Sequence, residues 1–205
     1  MITKLVLGSY ATNTYIYYNE TSRHGVIIDP AAKAERILAK VEELALDIKA
    51  ILLTHGHFDH TGAANELREA LSVSVYATKH DAELAADTTR SGASMIANKS
   101  VVPLVDKFLQ DGEMTFGDIK IHVLATPGHT AGSVCFYVPE EHILFSGDTL
   151  FEESYGRYDF PSGDFAALTG SLNRLLTLPA ETKVYPGHEA ATTIGHERVH
   201  NPIKR

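Results

Sequence analysis

Hydrophobic and polar positions change period several times along the chain. Short runs rich in β-branched and aromatic residues at 2–7, 13–18 and 25–28 predict three strands. Asp29-Pro30 ends the third. Over 31–46 the spacing turns helical, with Ile37, Leu38, Val41, Leu44 and Ala45 on one face. An apolar run of strand length follows at 48–53, then a helix over about 61–71 and a strand at 74–77. The Ala-rich, polar stretch 79–100 predicts a helix followed by a mobile loop. Residues 108–146 read as a strand meander, clearest at 119–125, 133–138 and 142–145. A helix at 165–176 carries Leu168, Leu172, Leu175 and Leu176 on its apolar face, and 182–185 is a last short strand. Two groups of strands, each followed by helices, predict an α/β molecule of two packed sheets with helices outside, in one domain over 1–205.

Four of these apolar runs end alike. Ile51-Leu52-Leu53-Thr54 leads into His55-Gly56-His57, and Val123-Leu124-Ala125-Thr126 into Pro127-Gly128-His129. Leu144-Phe145-Ser146 leads into Gly147-Asp148, and Lys183-Val184-Tyr185 into Pro186-Gly187-His188. Each delivers a His or an Asp on a Gly-marked turn at the end of a rigid strand, a common way to hold polar ligands above a sheet. The densest stretch, His55-Gly56-His57-Phe58-Asp59-His60, offers four metal-capable side chains. Five His and two Asp exceed what one ion takes, because a catalytic zinc has three protein ligands and keeps a position open. They suit two open sites sharing a carboxylate, with ions about 3.5–4 Å apart holding one hydroxide between them. Zinc is the first expectation, and iron and manganese accept the same donors.

Composition narrows the partners. Of 205 residues, 44 % are hydrophobic and 21 % charged, ordinary for a globular chain. The net charge of −8 argues against a nucleic-acid partner, which needs a basic surface. The apolar run before Gly8 is too short for a signal-peptide core or a membrane span, so a cytoplasmic location and no membrane partner are expected. Cys135, the one cysteine, excludes an internal disulfide and sits in an apolar strand, where it reads as a core thiol. Of the 11 histidines, His24, His80, His122, His142, His196 and His200 read as solvated or hydrogen-bonded, with His196 and His200 the two placed to approach the rim of a site.

His-x-His-x-Asp-His at 55–60, Gly-His-Thr at 128–130, Gly-Asp-Thr-Leu-Phe at 147–151 and Pro-Gly-His at 186–188 together resemble the metallo-β-lactamase fold superfamily. Within it, the stretches Gly156-Arg157-Tyr158-Asp159-Phe160-Pro161 and Thr192-Thr193-Ile194-Gly195 resemble the short bacterial glyoxalase II-like (hydroxyacylglutathione hydrolase-like) enzymes. The resemblance runs from about Asn13 to Pro202 and implies a four-layer αβ/βα sandwich with the metals at one edge. It implies that His55, His57 and His129 hold one metal, that Asp59, His60 and His188 hold the other, and that Asp148 bridges them. It also implies that Asp59 works beside the metal-bound hydroxide as the catalytic carboxylate. Asp29 matches a position that orients ligands, with a helix N-cap before Pro30 as the equal alternative.

The expected reaction is hydrolysis of a small-molecule thioester of the S-lactoylglutathione type, with Arg157 and Tyr158 touching the substrate. Classical glyoxalase II enzymes carry a C-terminal helical extension that helps hold glutathione. Here 17 residues follow His188, so weaker reading of glutathione is expected. Three alternatives share the fold. A mononuclear iron persulfide dioxygenase would use His55, His129 and Asp148 as its triad. The others are a lactonase or β-lactamase and, less compatible with the acidic charge, a nuclease.

Overall fold

The computed structural model describes residues 1–95 and 102–204. The first half contains β1 (Ile2–Leu7), β2 (Thr12–Tyr18), β3 (His24–Ile28), α1 (Ala34–Glu43), β4 (Asp47–Leu52), α2 (Phe58–Thr61), α3 (Ala64–Leu71), β5 (Ser74–Ala77) and α4 (Lys79–Ala86). The second contains β6 (Lys107–Phe108), β7 (Gly112–Phe116), β8 (Ile119–Ala125), β9 (Val134–Val138), β10 (Ile143–Gly147), β11 (Leu150–Phe151) and β12 (Ser154–Tyr155). It continues through α5 (Phe165–Leu175), β13 (Lys183–Pro186), β14 (Thr192–Thr193) and α6 (Ile194–His200).

The strands form two six-stranded sheets, β1-β2-β3-β4-β5-β6 and β14-β13-β10-β9-β8-β7, plus the β11-β12 hairpin. Three apolar clusters separate four layers. Ile37, Val41 and Leu67 of the helices pack on Ile16, Ile27 and Ile51 of the first sheet. Val26, Leu52, Ile121 and Phe145 fill the space between the sheets. Leu168, Leu172 and Leu175 of α5 cover Cys135, Leu144 and Val184 on the far side of the second sheet. Each strand thus alternates its buried residues between two layers, which is why the inner strands are apolar on both faces. The result is the αβ/βα sandwich, and Cys135 lies buried in it. Burial pushes its thiol up to about 11. None of the described helices is long and apolar enough to cross a membrane.

Several boundaries move from their sequence positions. The helix expected over 31–46 is confined to Ala34–Glu43, because Lys33 and Ala45 adopt left-handed backbone at φ 58° and 48° and so close it at both ends. The helix expected over 61–71 begins earlier, as the single turn α2, and breaks at Gly62-Ala63 before α3. In the stretch 79–100 the helical part is α4, and residues 96–100 lie outside the described residues. Helix α6 has no apolar stripe to announce it. Its signal is the Thr193 N-cap, whose side chain accepts from the His196 amide.

The site follows from strand direction. β3, β4 and β5 run parallel. β10 and β13 also run parallel, and β8 shares their direction because β9 is antiparallel to both β8 and β10. The C-terminal ends of β3, β4, β8, β10 and β13 therefore open on one edge of the sandwich. There β2 latches the two sheets together: Asn13 Nδ2 donates to the Pro186 carbonyl at 2.9 Å, Tyr15 OH to the same carbonyl at 2.7 Å, and the Asn13 amide to the Gly187 carbonyl at 2.7 Å.

Candidate metal centre

All seven residues singled out on strand ends converge at that edge, and they fall into two sets of donors. The ligand atoms of His55, His57 and His129 lie within 4.8 Å of one another, as do those of Asp59, His60 and His188. Asp148 stands between the sets. Its Oδ2 is 3.7 Å from His129 Nε2 and 3.5 Å from His188 Nε2, and its Oδ1 is 3.4 Å from His60 Nε2. His57 Nδ1 faces His129 Nε2 at 3.0 Å, and His60 Nε2 faces His188 Nε2 at 3.3 Å. Nitrogens each about 2.0–2.1 Å from one ion at a tetrahedral angle would be about 3.3 Å apart, so the donor spacing already suits coordination.

The unused nitrogen of most rings is held from behind. Asp29 accepts from the Thr54 amide at 2.8 Å, from Thr54 Oγ1 at 2.6 Å and from His60 Nδ1 at 3.0 Å. With its hydrogen given to Asp29, Thr54 Oγ1 accepts from His55 Nδ1 at 3.0 Å, which leaves the lone pair of that ring on Nε2. His129 Nδ1 donates to the Arg157 carbonyl at 2.6 Å and His188 Nδ1 to the Tyr10 carbonyl at 3.1 Å. Asp29 is thus an orienting carboxylate. It is not a helix cap, because α1 starts after Lys33. Although its oxygens also lie near His55 and His60, they are committed to Thr54 and His60 Nδ1 and face away from the cleft.

Two buried polar atoms at the centre, His55 Nε2 and Asp148 Oδ1, have no hydrogen-bond partner within the protein. A buried lone pair left unsatisfied is costly, and a cation is the partner this donor set calls for. Electrostatics separates the sets. Burial and the surrounding imidazoles hold His55 well below its ordinary range and His57 down to about 4, so both rings are neutral. Burial opposes charge on His60 and His188 as well, yet Asp148 and Asp59, with Asp29 behind His60, raise them to about 9 and about 10. Burial works against the Asp148 carboxylate, but His60, His188 and His129 outweigh it and hold the carboxylate below its usual range. Three imidazoles on one side, two imidazoles with the Asp59 carboxylate on the other and a shared Asp148 form a set of residues that fits two divalent ions.

The chain's relationships agree. The sequence model of the metallo-beta-lactamase superfamily matches residues 7–188. The chain belongs to this superfamily. It is 36 % identical to "Hydroxyacylglutathione hydrolase GloC" of Haemophilus influenzae, over 90 % of this chain and 89 % of that protein. Among solved structures it resembles BLEG-1, described as a B3 metallo-beta-lactamase, with TM-score 0.93, 38 % identity and 98 % of both chains covered. It also resembles TTHA1623 in a di-iron-bound form, with TM-score 0.87, 43 % identity and 98 % of both chains covered. With these relatives, the chain is a metal-dependent hydrolase of the superfamily.

Within the superfamily fold, the strand ends must approach closely. Gly147 turns at φ 50°, and a Cβ there would press on the Thr54 side chain. A Cβ on Gly187 would collide with Asp148 Oδ1 and the His60 ring. Glycine is thus required beside the ligands because they are crowded.

Two cavities flank the donor cluster. One, of about 590 Å³, is walled by Tyr10, Phe58, Phe160, Pro161 and Arg90; the other, of about 300 Å³, by Phe151, Ser154, Tyr155 and Glu189. His129, Asp148, His188, Arg157 and Phe160 border both. Arg157 lies at the junction, but its guanidinium is paired with Asp159 at 2.9 and 2.8 Å and lies over the Phe160 ring at 4.1 Å, so its charge is already matched. Tyr158, expected beside the substrate, packs instead on Phe165 at 4.7 Å and borders neither cavity. His196 and His200 stack on each other, with His196 bonded to Glu153, and they too stay outside both cavities.

Three further contributors are not visible in the sequence pattern. Asp81 on α4 accepts from the Gly56 amide at 2.8 Å and from Thr130 Oγ1 at 2.9 Å, tying the His55–His57 turn to the His129 turn. Thr12 Oγ1 donates to Asp59 Oδ2 at 3.2 Å. Arg90 stands on the cavity wall. None carries a motif. Asp81 alone left a trace, as an acid in the first turn of a helix after the Thr78 cap.

Proposed function

We propose that this chain hydrolyses hydroxyacyl thioesters of a small thiol carrier, using two divalent ions. The observation that carries the reading is Asp148 lying between two three-residue donor sets, at the meeting point of two cavities. His55, His57 and His129 would hold one ion, Asp59, His60 and His188 the other, with Asp148 shared. When bound, such ions polarise a carbonyl and bring water to its hydroxide form near neutral pH.

The chain's own residues do the rest. Asp29, Thr54 and the Tyr10 and Arg157 carbonyls fix the rings so that the donor atoms need no rearrangement. Asp59, steadied by Thr12, is the carboxylate placed to take the proton of the attacking water. Phe58 and Phe160 give the larger cavity an apolar wall beside the cluster, with the Phe160 ring edge-on to His57 and His129. A thiolate leaves readily, so a dedicated acid is not required. Cavities on both sides of the donors suit a linear substrate with its scissile bond over the cluster, and suit a compact bicyclic ring less well. The likeness to a protein named hydroxyacylglutathione hydrolase supports the same substrate class; the likeness to a B3 β-lactamase names the main competitor. Zinc is the first expectation for the metal, and the di-iron form of TTHA1623 keeps iron in play.

The test is elemental analysis of protein expressed with added metal, beside a screen of S-lactoylglutathione, lactones and β-lactams. Two equivalents of metal and a kcat/KM for the thioester at least about a hundredfold above the rest are expected, roughly 2.7 kcal/mol in barrier. Preferred β-lactam or lactone hydrolysis would overturn the substrate class. One equivalent of iron with oxygen uptake on a persulfide would overturn the hydrolytic reading.

A further inference from the structure

The two cavities beside the donor cluster share Asp148 and Arg157 but differ in the charged residue that each adds away from the donors, Arg90 in the larger and Glu189 in the smaller, and this difference assigns the two arms of the substrate. The smaller is bordered by Glu189 together with Phe151, Ser154 and Tyr155. The larger is bordered by Arg90 and by an apolar wall of Tyr10, Phe58, Phe160 and Pro161. Tyr10 and Phe58 meet edge to face at 5.3 Å, so that wall is packed independently of any ligand.

Arg90 is held in place by its backbone and unmatched in its charge. Asp87 Oδ1 accepts from the Thr89 and Arg90 amides at 3.0 and 3.1 Å, closing the turn. The Phe58 amide donates to the Ser91 carbonyl at 3.1 Å, fastening the turn to the segment that carries His57, Asp59 and His60. Gly92, at φ 79°, lets the chain lie against the Phe58 ring, where a Cβ would press on it. Arg68 pairs with Asp106, Arg157 with Asp159, Arg174 with Asp111, and Arg198 with the Leu176 and Leu178 carbonyls, whereas Arg23 and Arg36, exposed and without an ion pair among the described residues, border neither cavity. Arg90 is exposed and has no acidic partner among the described residues, and it lines a cavity of about 590 Å³ that reaches Asp148 and His188. A planar guanidinium on an apolar wall is suited to a carboxylate, which it can grip through two parallel hydrogen bonds.

We propose that the larger cavity is the carrier subsite, that it takes a small thiol carrier ending in a carboxylate, and that Arg90 reads that carboxylate. The acyl arm then lies in the smaller cavity, where Ser154 and Glu189 face its hydroxyl and where Glu189 repels an anionic carrier. This orientation rests on the thioester reading above and gives it a direction. It also moves recognition of the carrier away from Arg157, whose charge Asp159 already matches.

The test uses the metal-loaded full chain and two unreactive probes: S-methylglutathione, and the same thioether with both carboxylates converted to amides. Binding is measured by calorimetry for the native chain, for Arg90→Gln, and for Arg23→Gln as a distant control. The native chain and the control should bind the carboxylate form at least about tenfold more tightly than the diamide. Arg90→Gln should lose that difference by weakening the carboxylate form. In turnover of one acyl group on the two carriers, the loss should fall on KM. A preference that survives Arg90→Gln, or that is absent from the native chain, overturns the subsite. An Arg90-dependent preference without any thioester turnover keeps the subsite and overturns the reaction. Thioester turnover with a preference indifferent to Arg90 does the reverse.

Discussion

Each imidazole in the cleft has two nitrogens, and what a ring can do depends on which one is taken. His60 gives Nδ1 to Asp29, His129 gives Nδ1 to the Arg157 carbonyl and His188 gives Nδ1 to the Tyr10 carbonyl, so all three present Nε2 to the centre. Asp29 matters most among these supports, because it also takes both the amide and the hydroxyl of Thr54, and through that hydroxyl sets His55. Asp29→Ala should leave three buried donors unmatched, at about 1–3 kcal/mol for each group stranded. It should also weaken metal binding about 10–100-fold, the usual loss when such a partner is removed. Competition against a chromophoric chelator reads the second quantity. An unchanged affinity would show that the rings keep their orientation without Asp29.

At the scale of elements, the site depends on segments that carry no ligand. Helix α4 places Asp81 under both turns of the first donor set. Burial raises its pKa, and the Gly56 amide and the Thr130 hydroxyl offset part of that cost. Asp81→Ala should lower affinity for the ion held by His55, His57 and His129 while sparing the Asp59–His60–His188 set, which Asp81 does not touch. Metal titration should then resolve one weak and one nearly native site. Equal weakening of both would mean that Asp81 supports the fold at large. The β11-β12 hairpin, which borders the smaller cavity, is likewise held from elsewhere. The buried Glu197 of α6 accepts from the Glu153 amide at 3.0 Å, and Asn201 donates to the Ser154 carbonyl at 2.8 Å.

For the whole molecule, the centre joins the two sheets. Donors come from β4 and α2 in one half and from the ends of β8, β10 and β13 in the other, so bound ions would cross-link the halves. In their absence His60 and His188 hold protons among carboxylates, and the orphaned atoms of His55 and Asp148 stay unmatched. A ligand at about 1,000 times its Kd adds about 4 kcal/mol to stability. At about 2–4 °C per kcal/mol for a chain of this size, chelation should lower Tm by about 8–16 °C. Readdition of zinc, iron or manganese should restore it. A Tm that does not move on stripping would show that the ions bind without bracing the fold.

The ligands were legible in the sequence because strand and turn chemistry is local. An apolar run ending in glycine and then a His or Asp, four times over, marks a strand delivering a donor, whatever surrounds it. The layered architecture was legible for the same reason, since period-two and helical spacing alternate in two blocks. What tertiary structure decided was everything that depends on residues distant in sequence meeting. Asp29 is 25 residues from Thr54 and 31 from His60, and nothing local distinguishes an orienting carboxylate from a helix cap. Arg157 and Tyr158 lie just beyond the Asp148 turn, yet Asp159 and Phe160 engage one and Phe165 the other. Arg90 lies 58 residues from Asp148 and borders the same cavity only because the Phe58 amide fastens its turn to the metal-binding segment. The donors were therefore written into the chain, whereas their supports and the surfaces that meet a substrate were set by packing, since neither a hydrogen bond across sheets nor the wall of a cavity has a periodicity to read.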